Sequence, residues 1–259
     1  MTRPLAQPLF TGVGVALVTL FDDDGEVDAK ATAEHAATLV ELGMRAVLVA
    51  GSTGEAATLT DAERTALVAE VRRAVPSQTP VIAGTGAPSR RQAAALTRTA
   101  VENGADGVLV LSPPGAHDLR HYYQAAADAA GDMPVLAYHY PKASPPGIPV
   151  ELLSELPVQG LKDSSGDPER LLSELVAYRG WLYVGSSSLL ALAGALGCAG
   201  TILALANAEP ERCVAAFAGD ADAQLALAKA HLAARRDFPH GLKALVAERF
   251  GTSRAARLG

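Results

Sequence analysis

Eight short apolar runs recur along the chain, and alanine-rich polar stretches separate most of them. The stretches "DAKATAEHAATLVEL" (28–42) and "SRRQAAALTRTAVENG" (89–104) repeat their apolar residues at the spacing of helical turns. Runs that are apolar almost throughout, alternating with helices, are typical of a parallel sheet whose outer face is covered. The predicted strands are 12–21, 45–50, 79–85, 107–112, 133–140, 159–164, 181–186 and 200–207.

This alternation predicts an α/β fold, specifically a closed (β/α)8 TIM barrel. Barrels of that kind typically have about 250 residues, and this chain has 259. An open doubly wound sheet is the alternative, but no GxGxxG turn follows the first strand and no phosphate loop is present. The helical pattern is weakest between 149 and 156, where Pro149 could start a short helix.

The end of the chain predicts helices beyond the barrel. After the last strand the pattern indicates the eighth helix at 209–218 and two more at about 220–235 and 238–250. We therefore predict a barrel catalytic domain over 1–219 and a short C-terminal helical extension over 220–259. The final stretch "GTSRAARLG" is expected to fray.

Composition narrows the range of functions. Apolar residues make up 49% and charged residues 19% of a chain with a formal net charge of -6, which fits a globular protein. Without an arginine- and aromatic-rich stretch to offset that charge, no nucleic acid is expected as a partner. The start lacks a signal-peptide core, and no apolar run approaches the ~20 residues of a membrane helix. We expect a soluble, cytoplasmic protein that does not act at a membrane.

The spacing of the cysteines and histidines predicts neither a metal site nor a disulfide framework. Neither Cys198 nor Cys213 belongs to a CxxC motif or a Cys/His cluster, and the six histidines show no HxH or HExxH spacing. Ser186, Ser187 and Ser188 follow the seventh strand without a GxSxG elbow, so we interpret them as turn and cap residues.

The carboxyl ends of the strands are where barrel enzymes carry their chemistry. The second strand runs into "AGSTGE" (50–55), whose glycines and hydroxyls can hold a small anion, although an ordinary βα turn has the same composition. The fifth strand ends in "LAYHYP" (136–141), where the two-residue period places Tyr138 and Tyr140 on one face and His139 on the other. A tyrosine there can relay protons, or it can be a packed aromatic residue of the core.

Lys162, in "GLKDSSGD" (160–167), is the only one of the five lysines that falls within a predicted strand. Burial without a partner lowers the pKa of a lysine, and a neutral amine can form a Schiff base with a ketone. A salt bridge to a neighbouring carboxylate is the alternative, although the adjacent Asp163 should point to the opposite face. Lys30, Lys229 and Lys243 fall in helical patterns, where we expect them to be exposed.

Together, "GSTGE", "YHYP" and "GLKDSSGD" in that order resemble the dihydrodipicolinate synthase/N-acetylneuraminate lyase family of class I aldolases. The resemblance covers roughly residues 10–207 and continues more loosely to the end. It implies a (β/α)8 barrel with a C-terminal helical extension, an imine between a lysine and pyruvate, and no metal or organic cofactor. It also implies a homo-oligomer, a dimer or a tetramer.

The resemblance also implies roles for individual residues. The Schiff-base lysine falls on Lys162, and the acid/base tyrosine falls on Tyr138. The hydroxyl pair that binds the carboxylate falls on Ser52 and Thr53. In addition, the backbone around Gly185 and the side chain of Ile202 match positions that wall the pyruvate pocket.

Three departures from the synthase pattern bear on the substrate. Pro114 and Gly115 stand where synthases usually carry a tyrosine pair, one of which reaches across a subunit interface. No arginine follows Tyr138 to bind the second carboxylate of an aldehyde substrate, although Lys142 could substitute. Finally, "KDSSGD" is more similar to the branch that cleaves 4-hydroxy-2-oxoglutarate or 2-keto-3-deoxy sugar acids.

Three hypotheses follow for the function. The first is a class I aldolase or lyase whose partners are pyruvate, or a 2-oxo acid that yields it, and an aldehyde. The second is the synthase itself, which condenses pyruvate with aspartate semialdehyde. The third is a catalytically silent barrel that binds a 2-oxo acid without turnover.

Overall fold

Eight parallel strands close into a barrel in a computed structural model that describes residues 7–116 and 118–258. Each strand pairs with the next along the chain, and the first pairs with the eighth through Val13 and Thr201. The predicted (β/α)8 barrel is therefore confirmed. The strands are β1 (Gly12–Ala16), β2 (Val47–Val49), β3 (Val81–Gly84), β4 (Gly107–Leu111), β5 (Val135–His139), β6 (Gly160–Asp163), β7 (Trp181–Val184) and β8 (Gly200–Leu203).

Helices surround the barrel, and two more follow it. The α-helices are α1 (Ala29–Glu41), α2 (Asp61–Ala74), α3 (Arg90–Glu102), α4 (Leu119–Ala130), α5 (Pro168–Ala177), α6 (Leu190–Ala195), α7 (Pro210–Phe217), α8 (Ala221–Arg236) and α9 (His240–Phe250). Between β5 and β6 the connection is a short 3-10 helix, Val150–Glu155, which begins after Pro149 as predicted. The separation of the chain into two domains at 219/220 stays a prediction, and residues 1–6, 117 and 259 lie outside the described residues.

Local sequence signals fix several helix starts. Asp28 and Asp167 precede α1 and α5, and their carboxylates accept from backbone N–H groups of the first turn. Before α2, Thr60 and Glu63 form a reciprocal capping box. These caps satisfy N–H groups that a helix cannot pair internally, so each helix begins at a defined residue.

Two of the predicted strands end well before their apolar runs do. β1 ends at Ala16 and β8 at Leu203, although the runs extend to residues 21 and 207. The Asn207 side chain replaces the ladder there: its Oδ1 accepts from Val18 N at 3.1 Å and its Nδ2 donates to Ala16 O at 2.7 Å. The apolar residues beyond Ala16 are buried by packing, which the hydrophobic pattern cannot distinguish from strand pairing.

Two apolar layers hold the barrel. A large outer core lies between the strands and the helices, and a smaller one fills the interior. Side chains of the interior layer form the base beneath the strand ends. Its buried residues are Phe10, Ala16, Ala46, Leu48, Ile82, Leu109, Leu136, Tyr138, Trp181, Tyr183 and Ile202.

The last residues are fixed to the barrel, so the prediction that they fray is wrong for 251–258. The backbone N–H groups of Arg257 and Leu258 both donate to Glu55 Oε2 at 2.8 Å. Lys243 is fully buried instead of exposed, and its Nζ lies 2.5 Å from Glu55 Oε1. The buried Glu55 carboxylate in the turn after β2 thus holds the C-terminal segment against the barrel.

None of the helices within residues 7–116 and 118–258 has both the length and the apolar character needed to span a bilayer.

Candidate active site

Lys162 lies near the end of β6, in register with Tyr138 of β5 and Tyr183 of β7. Only 3% of the lysine is exposed, and its Nζ lies 4.5 Å from the centroid of the Tyr138 ring. The amine therefore projects toward the interior of the barrel, as the strand period predicts.

Burial lowers the pKa of Lys162 to about 7. In the described part of the chain, Lys162 forms no ion pair. Asp163 takes the opposite face, where its carboxylate accepts from Ser165 and lies 3.9 Å from Arg170 Nε. The salt-bridge alternative thus fails, and a substantial share of the amine is neutral near pH 7.

A cavity of about 220 Å³ opens beside this amine. Ser52, Thr53, Tyr138 and Gly185 line it together with Lys162, so five of the six predicted site residues share one space. Ile202, the sixth, is buried in the interior layer beneath and does not line the cavity. Pockets for drug-sized ligands have volumes of about 300–1,000 Å³, so this smaller cavity suits a small substrate.

The turn after β2 presents the Ser52 and Thr53 hydroxyls at the cavity. Ser52–Gly54 forms one turn of 3-10 helix, with Ala50 at φ +52° before it and Glu55 at φ +56° after it. Non-glycine residues in this left-handed region cost about 1–3 kcal/mol each and cluster at functional sites. Because Glu55 is bound by Lys243 and the C-terminal backbone, the C-terminal segment holds the turn in this strained form.

Tyr138 is 5% exposed and stacks on Tyr140, with ring centroids 5.8 Å apart. Burial raises the pKa of Tyr138, while the Ser164 and Ser52 hydroxyls oppose that rise. The phenol therefore keeps its proton near neutral pH and can act as a donor. By contrast, the hydroxyl of Tyr183 is occupied, since it donates to Phe10 O at 3.0 Å.

Gly185 is required at the end of β7 by the close approach of two side chains. A Cβ placed on it would lie 1.9 Å from Ser164 Oγ and 3.0 Å from Lys162 Cε. Any larger residue would displace the amine or the serine, so the site depends on glycine here.

Several lining residues escape prediction from the sequence. Ser164 and Tyr140 lie beside predicted residues, but His231, Arg235 and Phe238 come from the C-terminal helical region. Ser187 lies in the 3-10 turn after β7, as predicted for a turn residue, but the sequence does not reveal that its Oγ lies 2.8 Å from His231 Nδ1. Only the three-dimensional packing of α8 onto the β7 loop reveals these contacts.

The departures from the synthase pattern fall in two places. Lys142 lines the Lys162 cavity, whereas Pro114 lines a separate space of about 750 Å³ next to it.

A groove of about 1,010 Å³ lies at the other end of the barrel, around Phe10 and Gly12, where strands begin. Its size exceeds that of the Lys162 cavity, but barrel chemistry belongs to the carboxyl ends of the strands.

Fold and cavity together define a (β/α)8-barrel enzyme with its polar site at the carboxyl ends of the strands. A family profile described as the dihydrodipicolinate synthetase family matches residues 9–246. The chain belongs to that family, and it is a carbon–carbon lyase.

Individual relatives agree with this assignment. An uncharacterized DapA-like lyase of Halobacterium salinarum is 39% identical over 216 residues, 80% of this chain and 70% of the relative. The 4-hydroxy-tetrahydrodipicolinate synthase of Methanosphaerula palustris is 33% identical over 222 residues, 81% of this chain and 76% of the relative. A crystal structure of the chloride-inhibited dihydrodipicolinate synthase of Acinetobacter baumannii, complexed with pyruvate, superposes with a TM-score of 0.87 at 28% identity, covering 96% and 92% of the two chains.

Proposed function

We propose that this chain is a class I aldolase in which Lys162 forms an imine with a 2-oxo acid and pyruvate is one of the partners. The observation that carries the proposal is the buried Lys162 amine, with no carboxylate partner in the described chain and a small cavity beside it. Burial favours the neutral amine, which is the nucleophilic form.

In the first step, the neutral Nζ of Lys162 adds to the C2 carbonyl of the 2-oxo acid. Tyr138, which burial keeps protonated, donates a proton to the carbinolamine oxygen. That oxygen leaves as water, and a protonated imine remains on Nζ. The Ser52 and Thr53 hydroxyls hold the substrate carboxylate so that C2 faces the amine.

In the cleavage direction, the tyrosinate left by the first step removes the proton of the C4 hydroxyl. The C3–C4 bond then breaks: its electron pair moves toward the protonated imine, which becomes an enamine, and C4 leaves as an aldehyde. Tyr138 gives its proton to C3 of the enamine, which becomes a protonated imine again. Water hydrolyses this imine to release pyruvate and the free amine, and the proton set free returns to the Tyr138 oxygen. Condensation follows the same steps in reverse.

For the substrate we favour 4-hydroxy-2-oxoglutarate or a 2-keto-3-deoxy sugar acid. The motif "KDSSGD" and the absence of an arginine after Tyr138 support this choice. Dihydrodipicolinate synthesis from pyruvate and aspartate semialdehyde is the second candidate, supported by relatives such as the 33% identical synthase named above. Assembly into a homo-oligomer stays a prediction.

A substrate panel tests the proposal. Pyruvate release is measured from 4-hydroxy-2-oxoglutarate and several 2-keto-3-deoxy acids, and semialdehyde-dependent product formation from pyruvate. Lys162→Met should abolish turnover, while Lys229→Met, a change of an exposed lysine on α8, should leave it unchanged. Turnover that survives Lys162→Met would refute the role of this lysine, and pyruvate binding without any turnover would favour the silent barrel.

A further inference from the structure

Asp163 places a carboxylate on the outer face of β6, although the preceding residue on that face is apolar. Leu161, two positions earlier, belongs to the large outer core between the strands and the helices. Asp163 is only 2% exposed, and a buried carboxylate costs free energy unless its oxygens accept hydrogen bonds. The groups that satisfy Asp163 therefore indicate what this residue does.

Both oxygens of the Asp163 carboxylate bind the loop that follows β6. Oδ1 accepts from Ser165 N at 2.8 Å, and Oδ2 accepts from Ser165 Oγ at 2.8 Å. The same Ser165 hydroxyl accepts from Asp167 N at 3.1 Å, and Asp167 caps the start of α5. Asp163 thus fixes the main chain and the side chain of Ser165, and with them the course of the loop from β6 to α5.

A buried arginine lies between Asp163 and a second carboxylate. Arg170 Nε lies 3.9 Å from Asp163 Oδ1 and 2.7 Å from Glu174 Oε1, and its guanidinium also donates to Ile148 O at 2.8 Å. Burial raises the pKa of Glu174 to about 8, and the charge of Asp163 adds to that rise. Because Glu174 keeps its proton near pH 7, the guanidinium balances the charge of Asp163.

The loop that Asp163 fixes carries Ser164 to the active site. Ser164 follows Asp163 directly and lines the Lys162 cavity. Its Oγ packs against Gly185, where an added Cβ would lie 1.9 Å away, and Asp163 O accepts from Gly185 N at 2.6 Å. Burial raises the pKa of Tyr138, and a hydrogen bond with the Ser164 hydroxyl opposes that rise. The position of Ser164 therefore affects both groups that the imine chemistry uses.

We propose that Asp163 is a positioning residue for the imine chemistry. Through its two bonds to Ser165 it fixes the loop that holds Ser164 beside the Tyr138 hydroxyl and the Lys162 amine. This role rests on the proposed function, because it matters only if Lys162 is the nucleophile. Asp163 lies outside the cavity lining and contacts no substrate, so it acts on the rate of imine formation and not on the binding of pyruvate.

Trapping with pyruvate and excess borohydride tests this role. Initial labelling rates are read from intact mass over a range of pyruvate concentrations, which gives a maximal rate and a half-saturating concentration for each variant. The variants are Asp163→Ala, Asp163→Asn and Ser165→Ala. Ser173→Ala, a change of an exposed serine on α5, is the matched control for the serine. Asp28→Ala removes an exposed helix cap of α1 and controls for a general loss of stability.

Asp163→Ala should lower the maximal rate about 10- to 100-fold, since a misplacement of about 1 Å can cost that much. The half-saturating concentration of pyruvate should change by less than about threefold, because its carboxylate is assigned to the turn after β2. Ser165→Ala should show part of the same loss in maximal rate. Both control variants should label like the unaltered protein.

Asp163→Asn should restore most of the rate lost in Asp163→Ala. The amide oxygen still accepts from Ser165 N, and the amide nitrogen can donate to Ser165 Oγ. Without the Asp163 charge, Glu174 can ionise and pair with Arg170, so the buried cluster stays neutral. Recovery in this variant separates a role in geometry from a role of the charge, which the amide cannot replace.

The outcomes that contradict the proposal differ from those that contradict the proposed function. If pyruvate labels the unaltered protein and Asp163→Ala reaches the same maximal rate as Asp28→Ala, the positioning role is refuted and the imine chemistry stands. Asp163→Asn as slow as Asp163→Ala would also refute it. If pyruvate does not label the unaltered protein, the proposed function fails and the positioning role with it. Should Asp163→Ala not fold, Ser165→Ala decides, and a maximal rate equal to that of Ser173→Ala overturns the proposal.

Discussion

At the scale of single residues, the account depends on an amine that the strand register directs inward. Lys162 needs no hydrogen-bonded partner to become nucleophilic, because burial alone lowers its pKa to about 7. Tyr138 shows the reverse effect of the same environment, since burial raises its pKa and preserves its proton. The same burial thus favours a neutral Lys162, which can attack a carbonyl, and a protonated Tyr138 beside it, which can donate a proton.

The rate of imine trapping should follow the protonation of Lys162. Below pH 7 the amine holds its proton and cannot attack, so the rate of labelling by pyruvate should rise about tenfold per pH unit and level off above about 7. Initial labelling rates at saturating pyruvate, measured between pH 5 and 10, give this profile. A rate that is still rising steeply at pH 9 would show that the pKa of Lys162 is not lowered.

Gly185→Ala should slow trapping without unfolding the protein. The new Cβ would stand 1.9 Å from Ser164 Oγ and 3.0 Å from Lys162 Cε, so the Ser164 hydroxyl must move and the lysine side chain must shift with it. We expect a loss of up to about 100-fold in labelling rate, since a misplacement of about 1 Å can cost that much. In the double variant Gly185→Ala/Ser164→Ala, which removes the closest contact, part of the rate should return; unchanged labelling of Gly185→Ala would contradict this packing.

Sequence patterns could bring together those residues whose position follows from a strand, while their roles stay a prediction. Ser52, Thr53, Tyr138, Lys162 and Gly185 stand at strand ends, and a parallel barrel brings such ends together. Arg235 and His231 could not be predicted, because their distance from the site depends on how α8 packs. A helical pattern identifies which residues share a face, but it does not identify what that face contacts.

At the scale of elements, the turn after β2 depends on the C-terminal segment. Lys243 of α9 pairs with Glu55 where both side chains are fully buried, and Lys243 Nζ also donates to Ala255 O at 2.6 Å. The Phe21 ring lies 4.3 Å from the same nitrogen. Sequence patterns favoured exposure for Lys243 because its partners come from distant parts of the chain.

Lys243→Met should destabilise the protein by about 3–5 kcal/mol, since it leaves the Glu55 carboxylate buried without its cation. Denaturant unfolding measures the loss. Lys229→Met, on the exposed surface of α8, is the matched control and should change the free energy of unfolding by less than about 0.5 kcal/mol. If Lys243→Met unfolds at the same denaturant concentration as this control, the buried pair does not stabilise the C-terminal segment.

At the scale of the whole molecule, all eight strands and all three C-terminal helices fall where the hydrophobic pattern predicts them. The pattern succeeds because each parallel strand is buried on both faces and each helix on one. Its errors lie where the chain is buried without regular pairing: the runs after Ala16 and Leu203, and the segment 251–258 that binds Glu55.

Lys162 should also lower the stability of the whole fold. Its folded-state pKa of about 7 lies below the ordinary value of 10.5, so the unfolded chain binds more protons between these values. Stability of the unaltered protein therefore rises with pH across this window, and the cost of burying the amine is fully present below it. Lys162→Met should gain about 1–2 kcal/mol at pH 7 and less at pH 10, as measured by urea unfolding. A variant less stable than the unaltered protein at pH 7 would contradict this account.

The most direct measurement is to incubate the protein with pyruvate and borohydride and then locate any adduct by peptide mass mapping. The account predicts one reduced pyruvate per chain, bound to Lys162, and no labelling of Lys162→Met. Labelling confined to another lysine, or an unmodified protein at saturating pyruvate between pH 7 and 8, would contradict the claim that this buried amine is the nucleophile.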